Sequence, residues 1–187
     1  TMTADGRVWD DVRGGWLIES VVSQARKEEM EFVRNRGVYE RRPYEEAKQK
    51  TGSAPIKLRW VDTNKGTPES PNYRSRIVAM EVKKDNRLDL FAPTPPLEAM
   101  KMVISNAASD GQRGKQKVLM TVDIKRAYFY ARSIRETYVE LPKEDYQSGD
   151  ERKCGKLKLS LYGTRDAAMN WEAEIRATME SMGFQRG

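Results

Sequence analysis

Val118-Leu119-Met120-Thr121-Val122-Asp123-Ile124-Lys125-Arg126-Ala127-Tyr128-Phe129 decides what kind of sheet this chain builds. Val118 to Val122 is its most apolar strand-like run; it ends on a carboxylate, and an aromatic follows five residues later. The run predicts a central strand over 117–123, and a carboxylate at the end of a buried strand is well placed to hold a hard cation. Tyr128 would then sit beside whatever that cation binds. The same residues have ordinary readings. Asp123 serves equally as the N-cap of a short helical turn, accepting backbone N–H groups two or three residues on. Tyr128 and Phe129 serve equally as core aromatics, and Lys125 and Arg126 as a solvated face.

Trp16 to about Arg34 carries Ile18, Val21, Val22, Ala25 and Phe32 at helical spacing, with Gly37 as the stop. Residues 38–55 read as a charged, turn-rich connection broken by Pro43, Gly52 and Pro55. Ile56-Lys57-Leu58-Arg59-Trp60 alternates apolar and basic side chains, which is a strand with one buried face. Loop chemistry over 63–72 joins it to a second strand expected from Tyr73 to Lys83. Period 2 puts Lys57 with Arg59, and Arg74 with Arg76, on one face of each strand. A register that aligns those faces makes a strip of cations; otherwise the hairpin is an ordinary solvated edge.

Residues 91–96 are expected to be extended, because each Pro disfavours helix in the residue before it. A helix fits 97–108, with Leu97, Met100, Val103, Ile104 and Ala107 on one stripe. Strands are expected over Glu136–Leu141 and Cys154–Leu161. Gly163 opens a last helix, striped by Ala168, Trp171, Ile175, Met179 and Met182 and closed by Gly183. Helices and antiparallel strands alternate irregularly, so the fold class is α+β rather than a doubly wound sheet.

Composition removes several chemistries. The chain has no histidine, which excludes Ser-His and Cys-His catalysis and His-containing zinc sites. Its single cysteine, Cys154, excludes an intramolecular disulfide and fits a reducing, intracellular setting. Any metal would be held by carboxylates, which favours magnesium or manganese. A net charge of +6 leans toward a polyanionic partner. No stretch approaches the roughly 18 apolar residues of a membrane helix, and the start of the chain lacks a signal-peptide pattern.

Taken in order, these motifs resemble the reverse transcriptase of copia-type (Pseudoviridae) retrotransposons. Trp60-Val61 with Tyr73-Arg74-Ser75-Arg76-Ile77-Val78-Ala79 resembles that family's "RWV…YKARLVA" hairpin, and Phe91-Ala92-Pro93-Thr94 its "FSPV". Val122 to Phe129 is similar to "LDVKTAFL", and Glu136-Thr137-Tyr138-Val139-Glu140-Leu141-Pro142 to "EEVYMEQP". Lys158 to Gly163, with Trp171 downstream, is similar to "KSLYGLKQAPRAW". The five motifs together span about residues 25–186.

The resemblance implies the fingers and part of the palm of a right-hand polymerase over 56–187; before it the residues read as a helix and connection over 16–55 and, with Asp5-Gly6 and Gly14-Gly15, as a loose, disordered leader over 1–15. It implies an RNA/DNA template–primer and deoxynucleoside triphosphates as partners. It implies Mg²⁺, with Mn²⁺ as a substitute, bound by the Asp123 carboxylate and the Ile124 carbonyl. Arg76, with Arg74 and Lys65 behind it, would meet the triphosphate through planar or point-charge contacts. Tyr128 would lie under the sugar, where a bulky ring collides with a ribose 2′-OH, and Gly163 near the template–nucleotide pair.

Departures from the family pattern matter as well. "KQAP" reads Arg165-Asp166-Ala167-Ala168, placing an acid where a Gln would approach the nucleotide. Lys125-Arg126 replaces Lys-Thr, with little effect expected. The family's second acidic motif, Tyr/Phe-x-Asp-Asp, does not occur, and the chain's one Asp-Asp pair is Asp10-Asp11. A truncated polymerase, inactive alone, is therefore the expectation. The alternatives are a catalytically dead nucleic-acid-binding or interaction module derived from such a domain, or an unrelated RNA-binding α+β domain.

Overall fold

The computed structural model describes residues 7–82, 95–109 and 118–185. Helix and strand alternate irregularly along them. β1 (Val8–Trp9) and β2 (Trp16–Leu17) form a small antiparallel pair, followed by α1 (Glu19–Arg36). β3 (Tyr39–Pro43) leads directly into α2 (Tyr44–Thr51), and β4 (Leu58–Asn64) pairs with β5 (Tyr73–Ala79). α3 (Leu97–Ser109), β6 (Tyr138–Val139), β7 (Lys153–Leu157) and α4 (Ala167–Ser181) complete the elements used below. β3, β7 and β6 make an antiparallel sheet with β7 central.

One core holds these layers together. Met30 and Val33 on α1, Ile77 and Ala79 on β5, Val139 on β6 and Leu157 on β7 are all buried in one cluster with Phe129. α1 thus packs the hairpin and the three-stranded sheet onto each other through one apolar stripe. Gly37 ends α1 in the left-handed region at φ +64°, its N–H closing on the Arg34 and Val33 carbonyls, and the chain turns straight into β3.

Several expectations are corrected. The first helix starts at Glu19, because Trp16 and Leu17 pair with Trp9 and Val8. Residues 7–15 are not a loose leader. Val8 is buried, and the Asp10 carboxylate accepts the N–H groups of Val12, Arg13 and Asn64, each at 2.8 Å, which ties this stretch to β4. The 38–55 connection contains β3 and α2. Its charges misled because Arg41 and Tyr39 are consumed by buried Asp145, which accepts the Tyr39 hydroxyl at 2.6 Å and an Arg41 N–H at 2.9 Å.

The second hairpin strand ends at Ala79, where the Ala79 N–H turns to the Tyr162 carbonyl at 2.7 Å. Lys83 and residues 91–94 lie outside the described residues. The expected strand over 136–141 is paired only at Tyr138–Val139, and the one over 154–161 at Lys153–Leu157.

The largest correction concerns the opening stretch. Residues 118–122 form no strand and all are exposed, Val118 by 87% and Val122 by 66%. A strand exists through hydrogen bonds to a neighbour, and among the described residues none pairs with this run. The α3 helix forms where expected, but its apolar stripe is also exposed, at 55% for Met100 and 56% for Val103.

Candidate functional site

The β4–β5 register settles the face of each cation. Arg59 lies opposite Val78, Val61 opposite Arg76 and Thr63 opposite Arg74, so Arg59, Arg74 and Arg76 share one face. Lys57 stands one residue before β4, its carbonyl accepting the Met80 N–H at 2.8 Å. The opposite face, with Trp60 and Ile77, packs into the core. The strip is genuine, but its members are differently engaged. Arg59 sits 3.8 Å from Asp11, while the Arg76 guanidinium lies 5.3 Å from the centre of the Tyr162 ring. The Nε of Arg76 is buried and has no hydrogen-bond partner among the described residues.

Tyr162 is the hub of this region. Its ring centre is 4.9 Å from that of Tyr128 and 5.5 Å from that of Phe129. Phe129 is fully buried, and a 3-10 turn over Ala127–Tyr130 carries both aromatics. Burial pushes the Tyr162 phenol above its ordinary value; Arg76 and Arg74 pull it back, while Glu29 and Tyr128 add to the rise. The packing thus brings together Arg76, Arg74 and Tyr128, which the sequence singled out, around Tyr162 and Glu29, which it did not. Tyr162 had a signal, the Leu-Tyr-Gly motif in which it precedes Gly163. Glu29 had none, because its role depends on what α1 packs against.

Asp123 stands exposed just before this turn, with Ile124 half-buried. It caps nothing there: the residue before the 3-10 turn is Arg126, and the turn has no side-chain cap. Among the described residues no group of three or more His, Cys, Asp or Glu could hold a metal ion. The described residues around Asp123 therefore do not by themselves form a cation site. Lys65 is exposed in the hairpin loop, its N–H bonded to the Asn72 carbonyl at 2.8 Å.

Gly163 has a packing reason for lacking a side chain. At φ +83°, a Cβ there would fall 2.0 Å from the Ala79 carbonyl oxygen. The turn that follows is clamped by Arg135, which binds both Glu81 oxygens at 2.7 and 2.8 Å and Asp166 at 3.1 Å. Asp166 is buried and also accepts the Asn170 amide at 3.2 Å, so its charge is neutralised internally. The N–H of Arg165 donates to Glu81 at 2.8 Å, so a protein carboxylate already occupies that helix start. α4 itself begins at Ala167, four residues after the glycine expected to open it.

Known proteins give these features a family. Residues 42–187 match the profile of the family described as "Reverse transcriptase (RNA-dependent DNA polymerase)". Over 166 residues, 86% of the chain, it is 26% identical to the "Retrovirus-related Pol polyprotein from transposon TNT 1-94" of Nicotiana tabacum. The chain spans 12% of that polyprotein. No solved structure is significantly similar to it. Among the described residues no helix is long and apolar enough to cross a membrane. A family match over most of the chain, with a retrotransposon polyprotein as a relative, means that this chain belongs to the reverse transcriptase (RNA-dependent DNA polymerase) family, in its copia-type branch.

Proposed function

We propose that this chain forms the fingers and part of the palm of an RNA-directed DNA polymerase, and that it binds template–primer and deoxynucleoside triphosphate without polymerising by itself. The observation that carries this reading is the convergence of Arg76, Tyr162 and Tyr128 at the turn that follows Asp123. Arg76, Arg74 and Lys65 would receive the triphosphate; the unpartnered Nε of Arg76 is a donor left over for an anion. Tyr128, half-buried on its turn, would meet the sugar.

Asp123 and the Ile124 carbonyl would be two ligands of a magnesium ion, which when bound supplies Lewis-acid stabilisation of phosphate oxygens. Octahedral ligation of two such ions needs more than one carboxylate. The sequence has no Tyr/Phe-x-Asp-Asp, and the Asp10 of its single Asp-Asp pair is consumed by backbone N–H groups. Among the described residues no further acids join Asp123 in a group that could hold a metal ion.

Two measurements test the reading. Binding of a labelled RNA–DNA template–primer should weaken with salt, and Arg74→Ala with Arg76→Ala should flatten that dependence; a slope near zero in the unmodified chain removes the phosphate-binding surface and the reading with it. Primer extension on a homopolymer template should give nothing, and incorporation above an Asp123→Asn control would overturn the claim of an incomplete site. The exposure of Asp123 favours one other reading, a binding module without catalysis. A Mg²⁺-dependent component of nucleotide binding that disappears in Asp123→Asn separates the two.

A further inference from the structure

Arg126 occupies the position where the family pattern has a small residue, and it is the one non-glycine residue with positive φ among those described, at +56°. The left-handed region is costly for a side chain with a Cβ, and it persists where surrounding contacts over-determine it. Here the contacts are specific. The Nε of Arg126 donates to the Glu29 carboxylate at 2.7 Å, and that carboxylate is 2% exposed. The guanidinium also lies 4.4 Å from the centre of the Phe32 ring, next to Glu29 on α1. Phe32 in turn packs against Phe129, with ring centres 5.9 Å apart.

The strained residue is also the root of the aromatic turn. Its carbonyl accepts the Phe129 N–H at 3.0 Å, which fixes the first bond of the Ala127–Tyr130 turn. Asp123 lies three residues before it and Tyr128 two residues after. Among the described residues the second oxygen of Glu29 is buried without a partner and Arg126 is the cation that this carboxylate meets. A single guanidinium thus anchors to α1 the backbone that presents both candidate site residues.

We propose that Arg126 and Glu29 are positioning residues for sugar discrimination: the ion pair holds the strained turn so that Tyr128 stands against Tyr162 at the place where a nucleotide sugar enters. This rests on the nucleotide-binding reading given above. Without the tether the turn is no longer anchored to α1, and Tyr128 is no longer held at one distance from its neighbour. The triphosphate contacts proposed for Arg74 and Arg76 rest on the pairing of β5 with β4 rather than on this ion pair, so they should persist.

The test is competition of Mg²⁺–dATP, Mg²⁺–ATP and Mg²⁺–tripolyphosphate against a fluorescent deoxynucleotide on the full 187-residue chain. Arg126→Gly suits the backbone angle while removing the tether, and Glu29→Gln removes the charge from the other side. The unmodified chain should prefer dATP to ATP. Both variants should keep tripolyphosphate affinity while the preference narrows roughly tenfold, the scale of one charge-assisted hydrogen bond. Arg126→Lys should restore part of the preference.

A preference kept by both variants overturns the tether alone. Equal loss of dATP and tripolyphosphate affinity marks a merely structural pair and overturns it too. An unmodified chain that binds tripolyphosphate but does not discriminate overturns the sugar gate and this inference together. One that binds none of the three overturns the nucleotide-binding reading itself.

Discussion

Tyr162 and Tyr128 pack ring against ring, their centres 4.9 Å apart and their planes tilted by 52°, although 33 residues of chain lie between them and they belong to two motifs that sequence treats independently. Tilted and edge arrangements of this kind add to the area that each ring buries. Tyr162→Ala is expected to destabilise the chain by about 2 kcal/mol, below the range for a fully buried aromatic because the ring is half-exposed. Tyr162→Phe keeps the ring and should cost less than about 0.5 kcal/mol. Urea unfolding monitored by circular dichroism distinguishes them; equal losses would mean that the hydroxyl, not the ring, matters.

Gly163 provides a sharper steric test. A methyl group there meets the Ala79 carbonyl at 2.0 Å and Val78 Cγ1 at 2.7 Å, on a backbone angle that side chains avoid. Gly163→Ala should cost at least about 3 kcal/mol and lower the thermal midpoint accordingly. A midpoint within two or three degrees of the unmodified chain would show that the turn before α4 can move away from β5.

The Arg135 clamp separates burial from charge. Arg135→Ala strands Glu81 and Asp166, of which Asp166 is 3% exposed, and should cost about 2 kcal/mol, less than a fully buried pair because the guanidinium is 31% exposed. Asp166→Asn keeps an acceptor for Arg135 and should cost about 1 kcal/mol. A double-mutant cycle read by chemical denaturation checks the coupling; additive effects would mean that Arg135 and Asp166 do not act as a pair.

Alkaline pH should unfold the chain through its tyrosines. Burial and the hydrogen bond to Asp145 push the Tyr39 phenol far above its ordinary value, and burial also raises Tyr162. A group whose value is raised on folding contributes stability that is fully present below its unfolded value near 10 and lost as pH rises beyond it. The thermal midpoint should therefore hold steady to about pH 8, decline slightly as the buried Cys154 thiol, also pushed up by burial, begins to count, and fall more steeply above about pH 10. Tyr39→Phe should flatten that fall while lowering the midpoint at neutral pH. An alkaline limb unchanged in Tyr39→Phe would assign the loss to other groups.

Local patterns were legible wherever neighbours along the chain decide the outcome. The Gly37 stop, the β4–β5 hairpin, the α3 helix and the final helix all follow from spacing and turn chemistry within a dozen residues. Asp10 shows the limit. Its neighbours Asp5-Gly6 and Gly14-Gly15 read as a loose leader, yet its carboxylate binds the N–H of Asn64, more than fifty residues away. Nothing near Asp10 announces that partner. β3 was missed for a similar reason: Arg41 looks like surface charge until Asp145 and Asp150 arrive to neutralise it at 2.9 Å each.

The amino-acid sequence by itself determined the family, because motif order and residue identity survive without any knowledge of contacts, and it put Arg74 with Arg76 on one strand face because alternation is a local property, while the β4–β5 register decided that Arg59 joins them. Tertiary structure alone decided three matters. It left Val118–Val122 exposed and without a pairing strand among the described residues, since a strand is stable only beside another strand. It turned Asp166 inward to Arg135, since a buried charge must find its counterion in space. It also made Tyr162, Glu29 and Arg126 the frame of the candidate site, since packing against α1 joins residues that no local pattern relates.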